Sequence, residues 1–267
     1  MRSFKERLGV GDSLMTPAIR KLGAFTELEP DDIALLHGLK QTERFSAGKT
    51  IRPAGEARPR PRVLVSGWAA RQRFMPDGRR QILGIVLPGD LIGVCEYDAN
   101  WAMTSTAALT TVETIDASSL FGAGGLLRGS PSLGRAIAAS EAFEHWLAVE
   151  QIVRLGRRAA LERAAHFLLE IEFRLGLAGL CDQGRFPLPI TQEALSDVLG
   201  LSIVHINRTF LQLRRDRWIE LRSRVVDLLK MDQLAAAADF QPPSMLLEHR
   251  IGPTRSNVAQ LRPAALY

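Results

Sequence analysis

Between His205 and Arg224 the sequence sets six arginines against two acids, in a chain of 267 residues whose formal net charge is only +5. The six are Arg208, Arg214, Arg215, Arg217, Arg222 and Arg224. A guanidinium is a planar donor fork that suits phosphate oxygens and the O6/N7 edge of guanine. Residues 159–240 as a whole hold ten basic and eleven acidic side chains. The charge is therefore concentrated in one stretch.

The residues just before that stretch supply a frame for it. Thr191 is a good N-cap for a helix over 192–199. Gly200 can end that helix in the left-handed conformation, and Ser202 can cap the next one. Ser196 is small enough for a second helix to approach closely. Leu195, Leu199, Leu201 and Ile206 fall on the inward side, while Ile203, Val204, His205, Asn207 and Arg208 fall outward. This spacing predicts a helix-turn-helix whose second helix enters a DNA major groove. An ordinary helical hairpin is the competing reading. The predicted DNA-contacting set is Thr191, Gln192, Ser202, Val204, His205, Asn207, Arg208, Arg222 and Arg224. Two short β-prone runs, 218–222 and 225–229, flank Ser223-Arg224 and predict a wing hairpin. Trp218 reads as filler of its core.

Other chemistry is thinly represented. Cys95 and Cys181 are the only cysteines, which excludes a disulfide framework, a zinc ribbon and a four-cysteine iron–sulfur cluster. Cys95 reads as a small buried apolar residue, His37 as a helix-face histidine and His145 as a solvated or seam histidine. No nucleophile elbow, P-loop, dinucleotide fingerprint or metalloprotease motif occurs, so no catalytic residue, cofactor or metal is assigned. No run of about 18 apolar residues appears, and no apolar region follows the charged start at Met1–Arg7. The expectation is a non-membrane, cytoplasmic protein. The 34 basic residues are 29 Arg and 5 Lys, a bias that codon usage explains as well as phosphate binding does.

These residues need elements to hold them. Residues 1–40 read as helical pieces, including one over 31–39 after Pro30. Runs at 62–66, 69–74, 81–87 and 104–115 read as strands, with turns at Pro76-Asp-Gly78 and Pro88-Gly-Asp90, and suggest a small antiparallel barrel or roll. From Pro131 the period becomes helical. Ala136, Ala139, Phe143, Trp146, Glu150 and Val153 step by three and four along a helix reaching about Gly156. That stripe packs either against the neighbouring barrel or across a two-fold dimer seam, with Glu150 out of character on it. Another helix follows Arg157-Arg158, with Leu161, Ala164, Phe167, Leu168, Ile171 and Leu175 on its buried side. Pro187-Leu-Pro-Ile190 is extended.

In this order, Ser66-Gly-Trp68, Pro76-Asp-Gly-Arg-Arg-Gln-Ile82, Pro88-Gly-Asp-Leu-Ile-Gly93, Leu155-Gly-Arg-Arg158, Thr191-Gln-Glu193 and Leu199-Gly-Leu-Ser202 resemble the CRP/FNR superfamily of bacterial transcription regulators over about residues 30–235. The resemblance implies an α+β chain. An N-terminal helical segment (1–30) precedes a cyclic-nucleotide-binding-like sensor β-roll (31–130, a double-stranded β-helix). A long dimerisation helix (131–158), a winged helix-turn-helix (159–235) and a C-terminal tail (236–267) follow. It implies a homodimer on a two-fold-related operator in double-stranded DNA, with seam residues Ala136, Ala139, Phe143, Trp146 and Val153. RNA polymerase is a further partner if the protein is an activator. A CRP-like ligand-binding protein whose helix-turn-helix contacts proteins is the alternative.

The family's effector chemistry is missing. Cyclic-nucleotide-binding relatives place an Arg in a phosphate-binding turn, whereas residues 93–106 hold none and include Glu96 and Asp98. Ala148 and Val149 stand where cyclic-AMP-responsive relatives present hydroxyls. The effector is unassigned, with cyclic AMP not expected. The N-terminus lacks the cysteines of oxygen-sensing relatives.

Overall fold

The computed structural model describes residues 13–57, 60–94, 101–122 and 124–243. Cys95, Glu96, Asp98 and most of the tail lie outside them. Two short helices, α1 (Thr16–Gly23) and α2 (Pro30–Gly38), precede eight strands: β1 (Thr42–Phe45), β2 (Thr50–Arg52), β3 (Arg62–Ser66), β4 (Ala69–Phe74), β5 (Arg80–Val86), β6 (Leu91–Ile92), β7 (Ser105–Ala108) and β8 (Val112–Asp116). They form two antiparallel four-stranded sheets, β1-β8-β3-β6 and β2-β7-β4-β5. Leu64, Ala69, Val86, Ile92, Ala108 and Val112 are buried together as a roll core.

The expected roll is present. The strands at 62–66 and 69–74 fall where the alternation put them, and the 104–115 stretch divides into β7 and β8. β1, β2 and β6 escaped the sequence reading because they have only four, three and two residues. The Pro88-Gly-Asp90 turn has a special task. Gly89 adopts φ +95°, and a Cβ there would lie 2.8 Å from the Pro17 carbonyl oxygen, so only glycine lets this turn meet α1.

The long helix α3 (Pro131–Arg157) leads into α4 (Ala160–Leu177). It corrects the expected seam. Ala136 and Phe143 are fully buried in the chain's own interior, Phe143 among Phe25, Leu147, Phe173 and Leu177. Ala139 and the stacked Trp146 pack against the same cluster. Of the expected seam only Val153 is exposed, at 37%. Large aromatics on α3 belong to the body because the body offers them a preformed apolar slot. Glu150 is explained by the same rotation, since its carboxylate meets His166 Nε2 at 2.9 Å and Arg158 at 3.1 Å. The outward stripe is Arg135, Ala138, Ala142, His145, Val149, Ile152 and Gly156, stepping by three and four. Ile152 is 71% exposed and Val149 43%.

The C-terminal part holds β9 (Arg185–Pro187), α5 (Gln192–Leu199), α6 (Ile203–Arg215), β10 (Ile219–Arg222), β11 (Val225–Leu228) and α7 (Met231–Ala238). β10, β11 and β9 form a three-stranded antiparallel sheet. This part is not an independent bead on the roll. One continuous core joins Trp68, Ala70, Ile82, Ile85 and Leu87 of the roll to Phe167, Leu195, Val198 and Phe210. Among the described residues no helix is long and apolar enough to cross a membrane, and no three His, Cys, Asp or Glu are grouped to hold a metal.

Candidate nucleic-acid interface

The first helix of the motif, α5, is fixed at both ends. Thr191 Oγ1 accepts from the Ala194 N–H at 3.1 Å, and Gly200 closes the other end in the left-handed conformation. The carbonyls left over at that end are also met. Gln151 Nε2 donates to Val198 O at 2.8 Å, and Arg163 donates to Leu199 O at 3.1 Å. Ser202 Oγ then accepts from the His205 N–H and starts α6. Ile206, Thr209, Phe210 and Leu213 are its buried side.

The sequence-derived outward residues are exposed together on that helix. Ile203, Val204, His205, Asn207 and Arg208 all face solvent, Val204 at 60%. Thr191 and Gln192 open α5 beside them, and Gln192 Nε2 donates to Asn207 Oδ1 at 2.9 Å. The wing is the predicted hairpin, with Arg222 opposite Val225. Ser223 and Arg224 form its tip at φ +49° and +61°. Two non-glycine residues in the left-handed region make a strained primed turn. Leu188 N–H donating to Arg224 O at 2.7 Å helps hold it. The Arg222 guanidinium is 81% exposed and lies 2.5 Å from Glu220, a surface pair of little net strength. A crevice of about 380 Å³ runs between α6 and the wing, floored by Ile206, Phe210 and Leu221 and rimmed by Gln192, Asn207, Arg214 and Arg224.

The chain resembles known regulators along most of its length. Residues 162–237 match the family model for the Crp-like helix-turn-helix domain. The transcriptional activatory protein AadR of Rhodopseudomonas palustris is 32% identical over 228 residues, covering 82% of this chain and 92% of that protein. The nitrogen fixation regulation protein FixK of Bradyrhizobium diazoefficiens is 31% identical, with the same coverage. This chain belongs to the CRP/FNR family. The solved structure of FixK2 from Bradyrhizobium japonicum superposes with a TM-score of 0.64 at 26% identity, covering 74% of this chain and 96% of that one. The chain is therefore a DNA-binding transcription regulator of that family.

How this regulator holds its reading head was not legible in the sequence. Arg80 of β5 pairs with Asp197 of α5 at 2.6 Å, and Gln81 donates to the Asp197 carbonyl at 2.6 Å. Deeper, a chain of buried charges crosses every part. Lys21 of α1 meets Asp90 of the roll at 2.5 Å, and Asp90 meets Arg174 of α4 at 2.6 Å. Arg174 and Arg154 share Glu170, and Arg154 Nη2 lies 2.8 Å from His166 Nδ1. A side branch runs from Lys21 to Glu144 and on to Arg71. Burial alone would push the Glu144 and Glu170 carboxyls up. Arg71, Lys21 and Arg174 around Glu144, and Arg154 and Arg174 around Glu170, outweigh burial and hold both well below the usual carboxylate range.

His166 is the titratable link in this chain. Burial lowers its pKa, the Glu150 bond opposes that, and the Arg154 charge reinforces it. Arg154 can only donate, so Nδ1 accepts and Nε2–H donates to Glu150. The folded state resists protonation that the unfolded chain accepts near its usual value of about 6.5. The stability from this ring is complete above about 6.5 and is lost as pH falls from there toward the folded pKa. Melting temperature is expected to drop through that window in the native protein and to flatten in His166→Gln. An equal slope in both would show that the ring does not titrate there.

Two places in the roll add to the sequence reading. Residues 93–106 hold no Arg, but Arg52 reaches them from β2. It donates to Thr104 O at 3.5 Å and lies so close that a Cβ on Gly93 would be 2.8 Å from Nη1. Ala148 lines a cavity of about 200 Å³ with Arg71, Thr104, Glu144 and Gln151. Cys181 is a thiol: burial first, then the Glu172 carboxylate, pushes it up to about 12.

Proposed function

We propose that this regulator reads a pseudo-palindromic operator as a homodimer, placing one α6 in each of two successive major grooves. The observation that carries this reading is the reading face itself. Val204, His205, Asn207 and Arg208 stand outward on a helix capped at its start and anchored to the roll through α5. CRP/FNR regulators act as dimers, and the outward stripe of α3 from Ala138 to Ile152 supplies a seam that this chain leaves uncovered. On that seam, half-site centres lie about one helical turn apart, roughly 34–36 Å.

The roles divide by chemistry. Arg208 takes guanine O6 and N7 together, and Val204 packs on a thymine methyl where many relatives present a Glu. Thr191, Ser202 and His205 lie where the phosphate backbone passes, and Arg222 and Arg224 reach it from the wing. No catalytic step, cofactor or metal is assigned, and the protein acts where double-stranded DNA is, in the cytoplasm. RNA polymerase is the further partner of an activator.

Selection of bound sites from random duplexes, followed by gel shifts, tests this. Arg208→Ala is expected to lose discrimination at one base pair per half-site, about 1–3 kcal/mol or roughly 5- to 150-fold. Arg224→Ala is expected to weaken all sequences alike and to flatten the salt dependence by about one counterion. Equal losses on operator and random DNA for Arg208→Ala would reduce that residue to a phosphate clamp. Protein binding without any selected duplex would instead support the protein-contact reading.

The effector reading follows from the missing arginine in the 93–106 turn and from Ala148 in place of a hydroxyl. Millimolar cyclic AMP is expected to leave melting temperature and operator affinity unchanged. A ligand at 100 times its Kd stabilises by about 2.7 kcal/mol, so a shift of several degrees would overturn this effector reading.

A further inference from the structure

Asn207 stands beside Arg208 on the reading face, and its amide is engaged by a neighbour. Gln192 Nε2 donates to Asn207 Oδ1 at 2.9 Å, and both residues line the crevice between α6 and the wing. The two residues sit on separate helices, and each helix is pinned. Thr191 caps α5 immediately before Gln192, and Gln151 and Arg163 hold its far end. Ser202 caps α6, and Ile206, the residue before Asn207, is buried at 2%. The bond therefore joins two fixed backbones.

A carboxamide reads adenine by using both ends at once, its oxygen accepting from N6–H and its nitrogen donating to N7. With one lone pair of Oδ1 engaged by Gln192, Nδ2–H2 is the end of the Asn207 amide better placed to meet a base. A donor edge fits the O6 and N7 of guanine or the O4 of thymine. It meets adenine with N6–H2 beside N7, donor against donor, and finds only N4–H2 on cytosine. The neighbours reinforce this choice. Arg208 has donors only, and Val204 and Ile203 have only methyl groups. No carboxylate stands on the exposed side of the first two turns of α6.

We infer that Gln192, a residue of the first helix, sets the base preference of Asn207 by occupying its oxygen, making Asn207 a reader of the keto bases guanine and thymine. This rests on the operator-reading function proposed above. Gln192 is a positioning residue here, and its effect is on which base is preferred, not on how tightly DNA is held.

The experiment is site selection from random duplexes with the full-length protein and three variants. Asn207→Ala identifies the position, as the base pair whose preference disappears in each half-site. At that pair the native protein is expected to favour guanine or thymine over adenine by about tenfold, the size of one well-made base contact at about 1.4 kcal/mol. Gln192→Ala frees Oδ1 and is expected to move the preference to adenine. Gln192→Glu offers acceptors only, so it must take Nδ2–H and turn the amide over. That variant is expected to favour cytosine or adenine, whose amino groups meet the exposed oxygen. Both Gln192 variants should keep the guanine read by Arg208, whatever their overall affinity.

A keto preference unchanged in both variants would overturn the role of Gln192 alone. Adenine or cytosine preferred by the native protein would overturn the amide orientation. Failure of the native protein to select any sequence would overturn this inference together with the operator-reading function, and is recognised by the loss of the Arg208 position as well.

Discussion

Ile152→Asp is expected to give a folded protein that no longer dimerises and loses tight operator binding. Ile152 is the most exposed large apolar side chain among the described residues, at 71%. It lies on the outward stripe together with Ala138, Ala142, His145 and Val149. In a seam of two parallel helices each such residue meets its own copy, so one substitution places two carboxylates against each other. Burying either one unpaired costs several kcal/mol, more than the apolar contact it replaces. Folding should survive, because Ile152 touches solvent and not the core. Circular dichroism should be unchanged while light scattering reports half the native mass. A monomer holds one reading helix instead of two, so operator affinity should fall by orders of magnitude, with random-DNA affinity falling far less. Trp146→Asp makes the contrast. Trp146 stacks on buried Phe143, so its loss should lower melting temperature directly. A dimeric Ile152→Asp protein would move the seam elsewhere.

The same helix shows how far sequence reading reaches. The spacing of three and four residues on α3 was legible, but two stripes carry it. The stripe through Ala136, Phe143 and Trp146 has the larger side chains and dominates the pattern. It faces the body, since Phe25 and Phe173 from distant parts of the chain complete an aromatic pocket there. The outward stripe of Ala138, Ala142, His145, Val149 and Ile152 is weaker in hydrophobicity and is offset by about one position. Periodicity reports that a helix has an apolar face. It does not say whether the neighbour is in the same chain.

The helix-turn-helix was more legible because its signals are local. Thr191, Gly200 and Ser202 act on backbone within a few residues, and each does in the structure what its type suggests. The wing followed from two β-prone runs around a short connection. What stayed hidden was everything set by long-range pairing. Lys21, Asp90, Glu144 and Glu170 look like ordinary surface charges in a sequence, yet Lys21 and Asp90 are each 1% exposed. The Arg80–Asp197 contact joins residues 117 positions apart, so no spacing rule could reveal it.

That buried chain of charges carries the other large effect. Asp90→Asn is expected to lower the melting temperature by roughly 6–20 °C. Asp90 accepts from Lys21 through Oδ1, and from Arg174 and the Leu87 N–H through Oδ2. The substitution keeps the size of the side chain and leaves one oxygen to accept. It removes the charge that two buried cations share. Breaking one partner of a buried pair typically costs about 3–5 kcal/mol, and for a chain of this size each kcal/mol is worth about 2–4 °C. Glu144 and Glu170 remain to hold part of the positive charge, at 3.4 Å from Lys21 and 3.0 Å from Arg174. Those contacts place the loss toward the lower end of the range. Lys21→Met in the Asp90→Asn background should restore several degrees, because it removes a cation that the first change left stranded. Lys21, Asp90 and Arg174 come from different parts of the fold: α1, the turn beside the roll, and α4, which packs on α5. The destabilised variant should therefore also lose operator affinity below its melting temperature, as the reading head loosens from the roll. An Asp90→Asn protein that melts within 2 °C of the native one would mean that these charges are solvated and carry no such coupling.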